Sequence, residues 1–174
     1  KRRVKRFLDI ACGPSLQLRE IAKRGYEAIG LDLSKKMINY VNQKAKEEKI
    51  KIETINADMT KFRLKKKADF AFIMIGSLSY IKNNQDFLNH LNSVASSLNK
   101  GALYFIENYR LDWTTKGIFS PTQWTIKKDG IVIKTYYSIK VKNALTQMLL
   151  EDMKLYVNDK GKKLVLKEKV ETKQ

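Results

Sequence analysis

The sequence predicts an α/β fold in which a doubly wound, mostly parallel sheet carries an appended antiparallel β meander. In the first part of the chain, short apolar runs alternate with segments of helical period, which is typical of parallel βαβ units. In the rest of the chain, apolar and polar residues alternate without a helical period. The dipeptide Asp129-Gly130 in that second part is a strong signal for a two-residue β-hairpin turn.

Five segments predict the strands of the parallel sheet; four are apolar runs, and in the third Ile50, Ile52 and Thr54 alternate with charged residues. They are residues 7–12, 28–33, 50–54, 68–75 and 102–106. The fourth run is almost entirely apolar, which indicates a central strand covered on both faces. Right-handed crossovers between parallel strands restrict the topology, and we expect the doubly wound order 3-2-1-4-5 as the natural choice. That order places a ligand crevice beyond the carboxyl ends of strands one and four.

Three helices are predicted, after the first, second and fourth strands. Each of these segments carries apolar residues at helical spacing. Gly25 stands where the C-terminal cap of the first helix belongs, and Ser34 is the expected N-cap of the second. We expect Gly101 to separate the third helix from the fifth strand. His90 is expected on the solvent-exposed polar side of that helix.

The antiparallel part begins near residue 110, which divides the chain into residues 1–109 and 110–174. Its predicted strands are residues 124–128, 131–141, 147–157 and 164–170. A second turn is predicted at residues 158–161, where the sequence reads Asn-Asp-Lys-Gly. We expect this meander to lie beside or over the parallel sheet.

The composition excludes several classes of protein. The 174 residues are 43% hydrophobic, which is too many for a disordered tail. A single cysteine excludes a disulfide framework and favours a reducing, cytoplasmic location. No apolar run approaches the roughly 20 residues of a membrane span, so no membrane partner is expected. The chain does not start with Met and stops in a charged segment, from which we expect it to be part of a longer protein.

The turn after the first strand is the most informative segment. Small residues at positions 11, 13 and 15 let a ligand approach the backbone, and Asp32 ends the second strand 19 residues after Gly13. A dinucleotide site requires G-x-G-x-x-G, but Ser15 and Leu18 occupy the second and third glycine positions. We expect Leu18 to keep the first helix from packing closely on the sheet. The acidic Asp9 suits a ligand with a positive centre better than a pyrophosphate.

Residues 7–107 resemble the core of the class I S-adenosylmethionine-dependent methyltransferases, a Rossmann-like fold. The acidic residue and small-x-Gly-x-small loop of that family are similar to residues 9–15, Asp-Ile-Ala-Cys-Gly-Pro-Ser. Residues 31–34 resemble the family's segment with the ribose-binding acid, and residues 57–60 resemble its segment with the acid beside the adenine. Residues 69–80 resemble the family's fourth motif, and residues 99–102 resemble its turn into the fifth strand. Ala11 and Ser15 stand where glycine is commoner in the family. The family's closing helix, its two edge strands and its N-terminal covering helix are missing.

The resemblance implies S-adenosylmethionine as the cofactor and assigns roles to individual residues. The implied cofactor-binding residues are Asp9, Ala11, Cys12, Gly13, Pro14, Ser15, Asp32, Leu33, Met37, Asp58, Met59, Ile75, Gly76 and Ser77. Tyr80 and Tyr109 are the candidate catalytic residues on the substrate side, with Glu107, Asn108 and Trp113 nearby, and residues 110–174 are expected to cap the site. Cys12 is expected to act as a small apolar side chain. One histidine offers no metal site, and none is predicted.

The acceptor is expected to be a small molecule, although the formal net charge of +17 also suggests a nucleic acid. The lysines are scattered over every predicted element, and blocks such as residues 65–67 are short. Residues 75–78, Ile-Gly-Ser-Leu, replace the polar-Pro-Pro-aromatic motif typical of nucleic-acid amine methylation. The alternatives are an RNA or protein methyltransferase that uses the basic surface, and a relative that binds the cofactor without turnover.

Overall fold

The computed structural model describes residues 4–107 and 122–174. The chain divides into two compact units, Lys1–Tyr109 and Arg110–Gln174. Among the helices of the described residues, none combines the length and the apolar character that crossing a membrane requires.

The first unit alternates strands and helices around one parallel sheet. Its elements are β1 (Arg6–Ile10), α1 (Leu16–Lys23), β2 (Glu27–Asp32), α2 (Lys35–Glu47), β3 (Glu53–Asn56), β4 (Ala68–Ile73), a short 3₁₀ helix (Ser77–Tyr80), α3 (Asn84–Ser97) and β5 (Leu98–Ile106). All neighbouring strands are parallel, and their order is β3-β2-β1-β4-β5. The predicted sheet order is therefore confirmed, with the switch point between β1 and β4.

Several predicted strand boundaries differ from the structure, and the starts of the third and fifth strands differ most. The third strand begins at Glu53 rather than at residue 50. Gly101 does not separate α3 from the fifth strand, because β5 begins at Leu98 and continues through Gly101. The pairing of β5 with β4 shifts register between Ala68 and Phe70, and this irregularity accommodates the extra residues at the start of β5.

The helix caps follow the sequence. Gly25 has a φ of 82° immediately after the last turn of α1, a left-handed conformation that glycine adopts without strain. Ser34 caps α2, where its Oγ accepts a hydrogen bond from the backbone N–H of Met37. These caps fix where the chain turns at each end of the sheet.

In the core of the first unit, Leu8, Ile10, Ile29 and Leu31 are fully buried on one face of β1 and β2. On the other face of the sheet, Leu18, Ala28 and Phe72 form a second buried cluster. Leu18 of α1 is also fully buried, so the expectation that it prevents close packing is wrong. The space for the Leu18 side chain exists because residue 30 of β2 is a glycine. A Cβ at Gly30 would lie 3.0 Å from Cys12 Sγ and 3.3 Å from Leu18 Cδ2.

The substitution Gly30→Ala is expected to lower the free energy of unfolding by about 1–3 kcal/mol, because the new methyl group overpacks a buried site. Urea denaturation followed by circular dichroism measures this loss. The double variant that adds Cys12→Ala removes the sulfur atom at 3.0 Å and is expected to recover part of the stability. Equal stability of Gly30→Ala and the wild type would contradict the packing argument.

The second unit is an antiparallel meander, as the sequence predicts. Its strands are β6 (Thr122–Lys128), β7 (Ile131–Asn143), β8 (Met148–Asp159) and β9 (Lys162–Lys173), paired in that order. Asp129 and Gly130 both have positive φ, which confirms the predicted hairpin turn. The second turn consists of two residues rather than four, because only Lys160 and Gly161 lie between β8 and β9.

The two faces of the meander differ in character. One face is mostly apolar and contains a partly buried polar cluster, in which Glu151 accepts hydrogen bonds from Tyr137 Oη (2.6 Å) and Thr172 Oγ1 (2.8 Å). The strand register places nine lysines on the opposite face: Lys127, Lys134, Lys140, Lys142, Lys154, Lys163, Lys167, Lys169 and Lys173. Tyr136 and Tyr156 pack edge to face among them, with ring centroids 5.5 Å apart.

Candidate functional site

The loop after β1 lies at the carboxyl edge of the parallel sheet, where ligands bind in folds of this type. Its backbone winds through left-handed conformations at Ala11, Gly13 and Ser15, with φ values of 55°, 49° and 55°. Cys12 ties the loop to the neighbouring strand, because its N–H donates to the carbonyl of Leu31 at 3.0 Å. Within residues 4–107 and 122–174, no atom other than those of Gly13 and its two chain neighbours lies within 4 Å of a Cβ built on Gly13, so these residues leave space open beside the loop.

Asp32 joins this loop to the end of β2. Its Oδ2 accepts a hydrogen bond from the Gly13 N–H at 2.8 Å, and its Oδ1 accepts one from the Ser34 N–H at 2.7 Å. Each carboxylate oxygen can accept further hydrogen bonds, so the group remains able to bind ligand hydroxyls. The two backbone donors hold the carboxylate in one orientation at the sheet edge.

Asn56 is a supporting residue that the sequence-based prediction missed. It is the partner of Asp32 in the register of β2 and β3. Its Nδ2 donates to the carbonyls of Asp32 (3.0 Å) and Leu33 (2.8 Å). The only sequence signal is a polar residue at the predicted end of the third strand, directly before the motif at 57–60.

Asp9 is a buried carboxyl group at the same edge. It is 4% exposed, and Ser15 Oγ donates a hydrogen bond to its Oδ2 at 3.3 Å. Burial raises the pKa of Asp9 to about 7, and the negative charge of Asp32 adds to the increase, while the Ser15 hydrogen bond opposes it. The group therefore titrates close to neutral pH.

Cys12 behaves as the small apolar side chain that the sequence predicts. It is buried against Ile38 and Val41 of α2. Burial, reinforced by the charges of Asp9 and Asp32, raises the pKa of its thiol to about 12. The thiol is therefore protonated at neutral pH and is not a nucleophile.

Apolar side chains are exposed around this edge. Leu33, Met37 and Ile75 are 72%, 40% and 80% exposed, respectively. Ile75 has a left-handed φ of 56°, and its N–H donates to Glu107 Oε2 at 2.9 Å. Glu107, at the end of β5, thus stabilises the strained turn that presents Ile75 and Gly76.

Asp58 and Met59 follow β3 in an irregular segment. Oδ1 of Asp58 closes a local turn by accepting hydrogen bonds from the N–H (2.7 Å) and Oγ1 (2.8 Å) of Thr60. The predicted adenine-side acid is therefore also a turn residue.

His90 contradicts the prediction of a solvent-exposed side chain, since it is 0% exposed. Its Nδ1 lies 2.9 Å from the Met59 carbonyl oxygen, and its Nε2 lies 2.7 Å from Tyr104 Oη. Burial lowers the pKa of the imidazole, so the ring is neutral. The helical period places residue 90 close to the boundary of the apolar face, and the tertiary contact with the 59–60 segment draws it inward.

The remaining predicted residues are distributed as follows. Pro14 lies in the first loop, Ser77 begins the 3₁₀ helix, and Tyr80 ends it with 56% of its surface exposed. Tyr109, Asn108 and Trp113 lie outside the described residues. Within residues 4–107 and 122–174, no cluster of three or more His, Cys, Asp or Glu side chains could hold a metal ion.

A family model described as a methyltransferase domain matches residues 7–101, which is more than half of the chain. The chain belongs to the class I S-adenosylmethionine-dependent methyltransferases. The match covers the first loop, Asp32 and the 57–60 segment of this methyltransferase domain.

The similarity to individual relatives covers more of the chain than residues 7–101, which the family model matches. A Streptomyces venezuelae protein, dTDP-3-amino-3,4,6-trideoxy-alpha-D-glucopyranose N,N-dimethyltransferase, is 25% identical over 163 residues, covering 90% of this chain and 62% of that protein. The sugar N-methyltransferase KedS8 from a Streptoalloteichus species has a TM-score of 0.84 at 16% identity, over 98% of this chain and 66% of that one. CalS10, an amino pentose methyltransferase from Micromonospora echinaspora solved with S-adenosylmethionine bound, has a TM-score of 0.80 at 14% identity, covering 98% and 69%. At these identities the two solved structures establish the fold.

The residues of the methyltransferase domain fit the cofactor of the family. The oriented carboxylate of Asp32 can accept the two ribose hydroxyl hydrogens. The exposed side chains of Leu33, Met37 and Ile75 provide apolar surface for a flat purine ring. The ionised form of Asp9 suits the positive charges of S-adenosylmethionine. The open space beside Gly13 lets a ligand reach the backbone.

Proposed function

We propose that this chain binds S-adenosylmethionine at the carboxyl edge of the parallel sheet and transfers its methyl group to an amino group on a nucleotide-linked sugar. The cofactor proposal is supported above all by the Asp32 carboxylate, which two backbone donors orient beside exposed apolar side chains. The acceptor proposal is supported by the similarity to a dTDP-amino-sugar methyltransferase, which extends over 90% of the chain and therefore into the meander.

Each part of the cofactor has a proposed set of partners. Asp32 binds the ribose, Leu33, Met37 and Ile75 contact the adenine ring, and Asp58 and Met59 meet its edge. The remaining loop residues surround the methionine part of the cofactor: Asp9, Ala11, Cys12, Gly13, Pro14, Ser15, Gly76 and Ser77. Tyr80 and Tyr109 are proposed to contact the acceptor, and residues 110–174 to form the cap.

The chemistry requires positioning more than it requires a catalytic base. When bound, S-adenosylmethionine supplies an electrophilic methyl group on a positively charged sulfur. The chain has to hold an unprotonated amine in line with that methyl group, and such alignment contributes on the order of 7–11 kcal/mol to catalysis. The formal net charge of +17 attracts a nucleotide-linked acceptor, whose diphosphate is negatively charged.

The lysine face of the meander favours a second candidate, an RNA acceptor. Tyr136 and Tyr156 lie among nine lysines, and Lys134 Nζ lies 5.0 Å from the centre of the Tyr136 ring. Aromatic rings among cations are typical of surfaces that bind single-stranded nucleic acid. Binding to such a surface falls steeply with salt because counterions are released.

Calorimetry and a methyl-transfer assay test these proposals with the full chain. We expect S-adenosylmethionine and S-adenosylhomocysteine to bind, and we expect methyl transfer to dTDP-linked amino sugars rather than to RNA. Absence of binding by both cofactor forms would sink the cofactor proposal. Salt-sensitive RNA binding with methyl transfer to RNA would replace the sugar acceptor by the second candidate, and cofactor binding without any transfer would favour a non-catalytic relative.

A further inference from the structure

Helix α3 presents a row of polar side chains to the irregular segment that follows β3. His90, Ser93 and Ser97 are spaced three and four residues apart, so they lie on one face of the helix. His90 and Ser97 are both fully buried. A polar row on a buried helix face requires partners, because unpaired buried polar groups are costly.

The partners of this row are backbone groups of residues 59–64. Ser93 Oγ donates to the Thr60 carbonyl at 3.1 Å and accepts from the Phe62 N–H at 3.4 Å. Ser97 Oγ accepts from the Leu64 N–H at 3.2 Å. The segment has no regular secondary structure, so α3 supplies the hydrogen bonds that a strand or helix would have supplied.

His90 makes the contact of this row that lies closest to the candidate cofactor site. The Met59 carbonyl can only accept a hydrogen bond, so Nδ1 of His90 carries the proton and donates at 2.9 Å. Nε2 then accepts from the Tyr104 hydroxyl at 2.7 Å. The ring is thereby held in one tautomer and one orientation between β5 and the 59–60 segment.

We infer that His90 is a positioning residue for cofactor recognition, which holds Asp58 and Met59 where they discriminate adenine from other bases. The inference rests on the proposed function. His90 acts through the Met59 carbonyl and does not touch the ligand. Asp58 is positioned together with Met59, because Asp58 Oδ1 accepts a hydrogen bond from the Thr60 N–H. The Thr60 carbonyl in turn accepts a hydrogen bond from Ser93 Oγ.

Two substitutions separate the two hydrogen bonds of the ring. The amide nitrogen of His90→Asn occupies the place of Nδ1 and keeps the bond to Met59. The amide group of His90→Gln reaches the place of Nε2 and keeps the bond to Tyr104. Each variant loses one buried hydrogen bond, so we expect similar losses of stability.

Ser97→Ala provides a matched control from the same polar row. It removes the hydrogen bond to the Leu64 N–H, which lies further along the segment from Met59. The probes are S-adenosylhomocysteine and S-inosylhomocysteine, which differ at the exocyclic group of the base. Dissociation constants are measured by calorimetry at a temperature at which every variant is folded, as urea unfolding establishes.

We expect His90→Gln to bind S-adenosylhomocysteine about tenfold more weakly than the wild type and to lose its preference over the inosine analogue. His90→Asn, Tyr104→Phe and Ser97→Ala are expected to keep affinity and preference within about twofold. Equal affinity of His90→Gln and His90→Asn would overturn the positioning role. If the wild type binds neither S-adenosylhomocysteine nor S-inosylhomocysteine, the proposed function is overturned and this inference with it.

Discussion

Replacing Asp32 with alanine is expected to weaken the binding of S-adenosylhomocysteine by about 100- to 10,000-fold. The carboxylate is the proposed acceptor for two ribose hydroxyl hydrogens, and each hydrogen bond to a charged group contributes about 1.5–3 kcal/mol. The substitution also removes the acceptor of the Gly13 and Ser34 N–H groups, which loosens the first loop. Calorimetry with the full chain measures the loss.

Two further variants separate the charge of Asp32 from its geometry. Asp32→Asn keeps one acceptor oxygen and the side-chain shape, so its affinity is expected to lie between those of the wild type and Asp32→Ala. Asp58→Ala serves as a comparison, because Asp58 is proposed to meet the edge of the adenine ring and not the ribose. An affinity of Asp32→Ala within threefold of the wild type would remove Asp32 from the proposed ribose site.

Replacing Asp9 with asparagine is expected to stabilise the ligand-free protein at neutral pH. The pKa of Asp9 is raised from 3.8 to about 7 in the folded protein, so ionisation favours the unfolded chain between these values. The stability that the protonated group contributes is complete below pH 3.8 and is lost as pH rises to about 7. Above pH 7 the penalty amounts to at most about 4 kcal/mol.

Urea unfolding of the wild type and Asp9→Asn between pH 4 and 8 measures this linkage. The difference in the free energy of unfolding is expected to grow in favour of Asp9→Asn as pH rises. Positively charged S-adenosylmethionine favours the ionised carboxylate, so the affinity of the wild type is expected to rise with pH over the same window and that of Asp9→Asn to stay constant. A difference in stability that does not change with pH would contradict the raised pKa.

The elements that follow strong local patterns agree with the sequence-based prediction. Strand β4 is apolar except for Asp69, and the hairpin at Asp129 and Gly130 uses residues that tolerate positive φ. Right-handed crossovers restrict the possible strand orders, and the observed doubly wound order is one of those they allow. The boundary of β5 was missed because its first residues pair across a register shift, which a local pattern does not contain.

The residues of the candidate site also fall into those that the sequence reveals and those that only the structure reveals. Asp32 and the loop around Gly13 are visible in the sequence because their residue types and spacing are constrained by the backbone turn. Asn56 and Glu107 support that site through side-chain bonds to backbone groups of other strands. These contacts join residues that are distant in sequence, so no periodicity reveals them.

The sequence by itself determined the α/β architecture, the antiparallel meander and the positions of the acidic residues at the ends of the predicted strands. These features depend on local periodicity, turn chemistry and motif spacing, each of which is contained in short stretches of chain.

Only the tertiary structure decided the environments of particular side chains. His90 is buried between Met59 and Tyr104, and the absence of a side chain at Gly30 leaves space for Leu18 to pack against the sheet. The tertiary structure also removed Asp9 from water and so moved its pKa towards neutrality. The physical reason is that desolvation and close packing depend on which segments meet across the fold, and only the folded chain specifies those meetings.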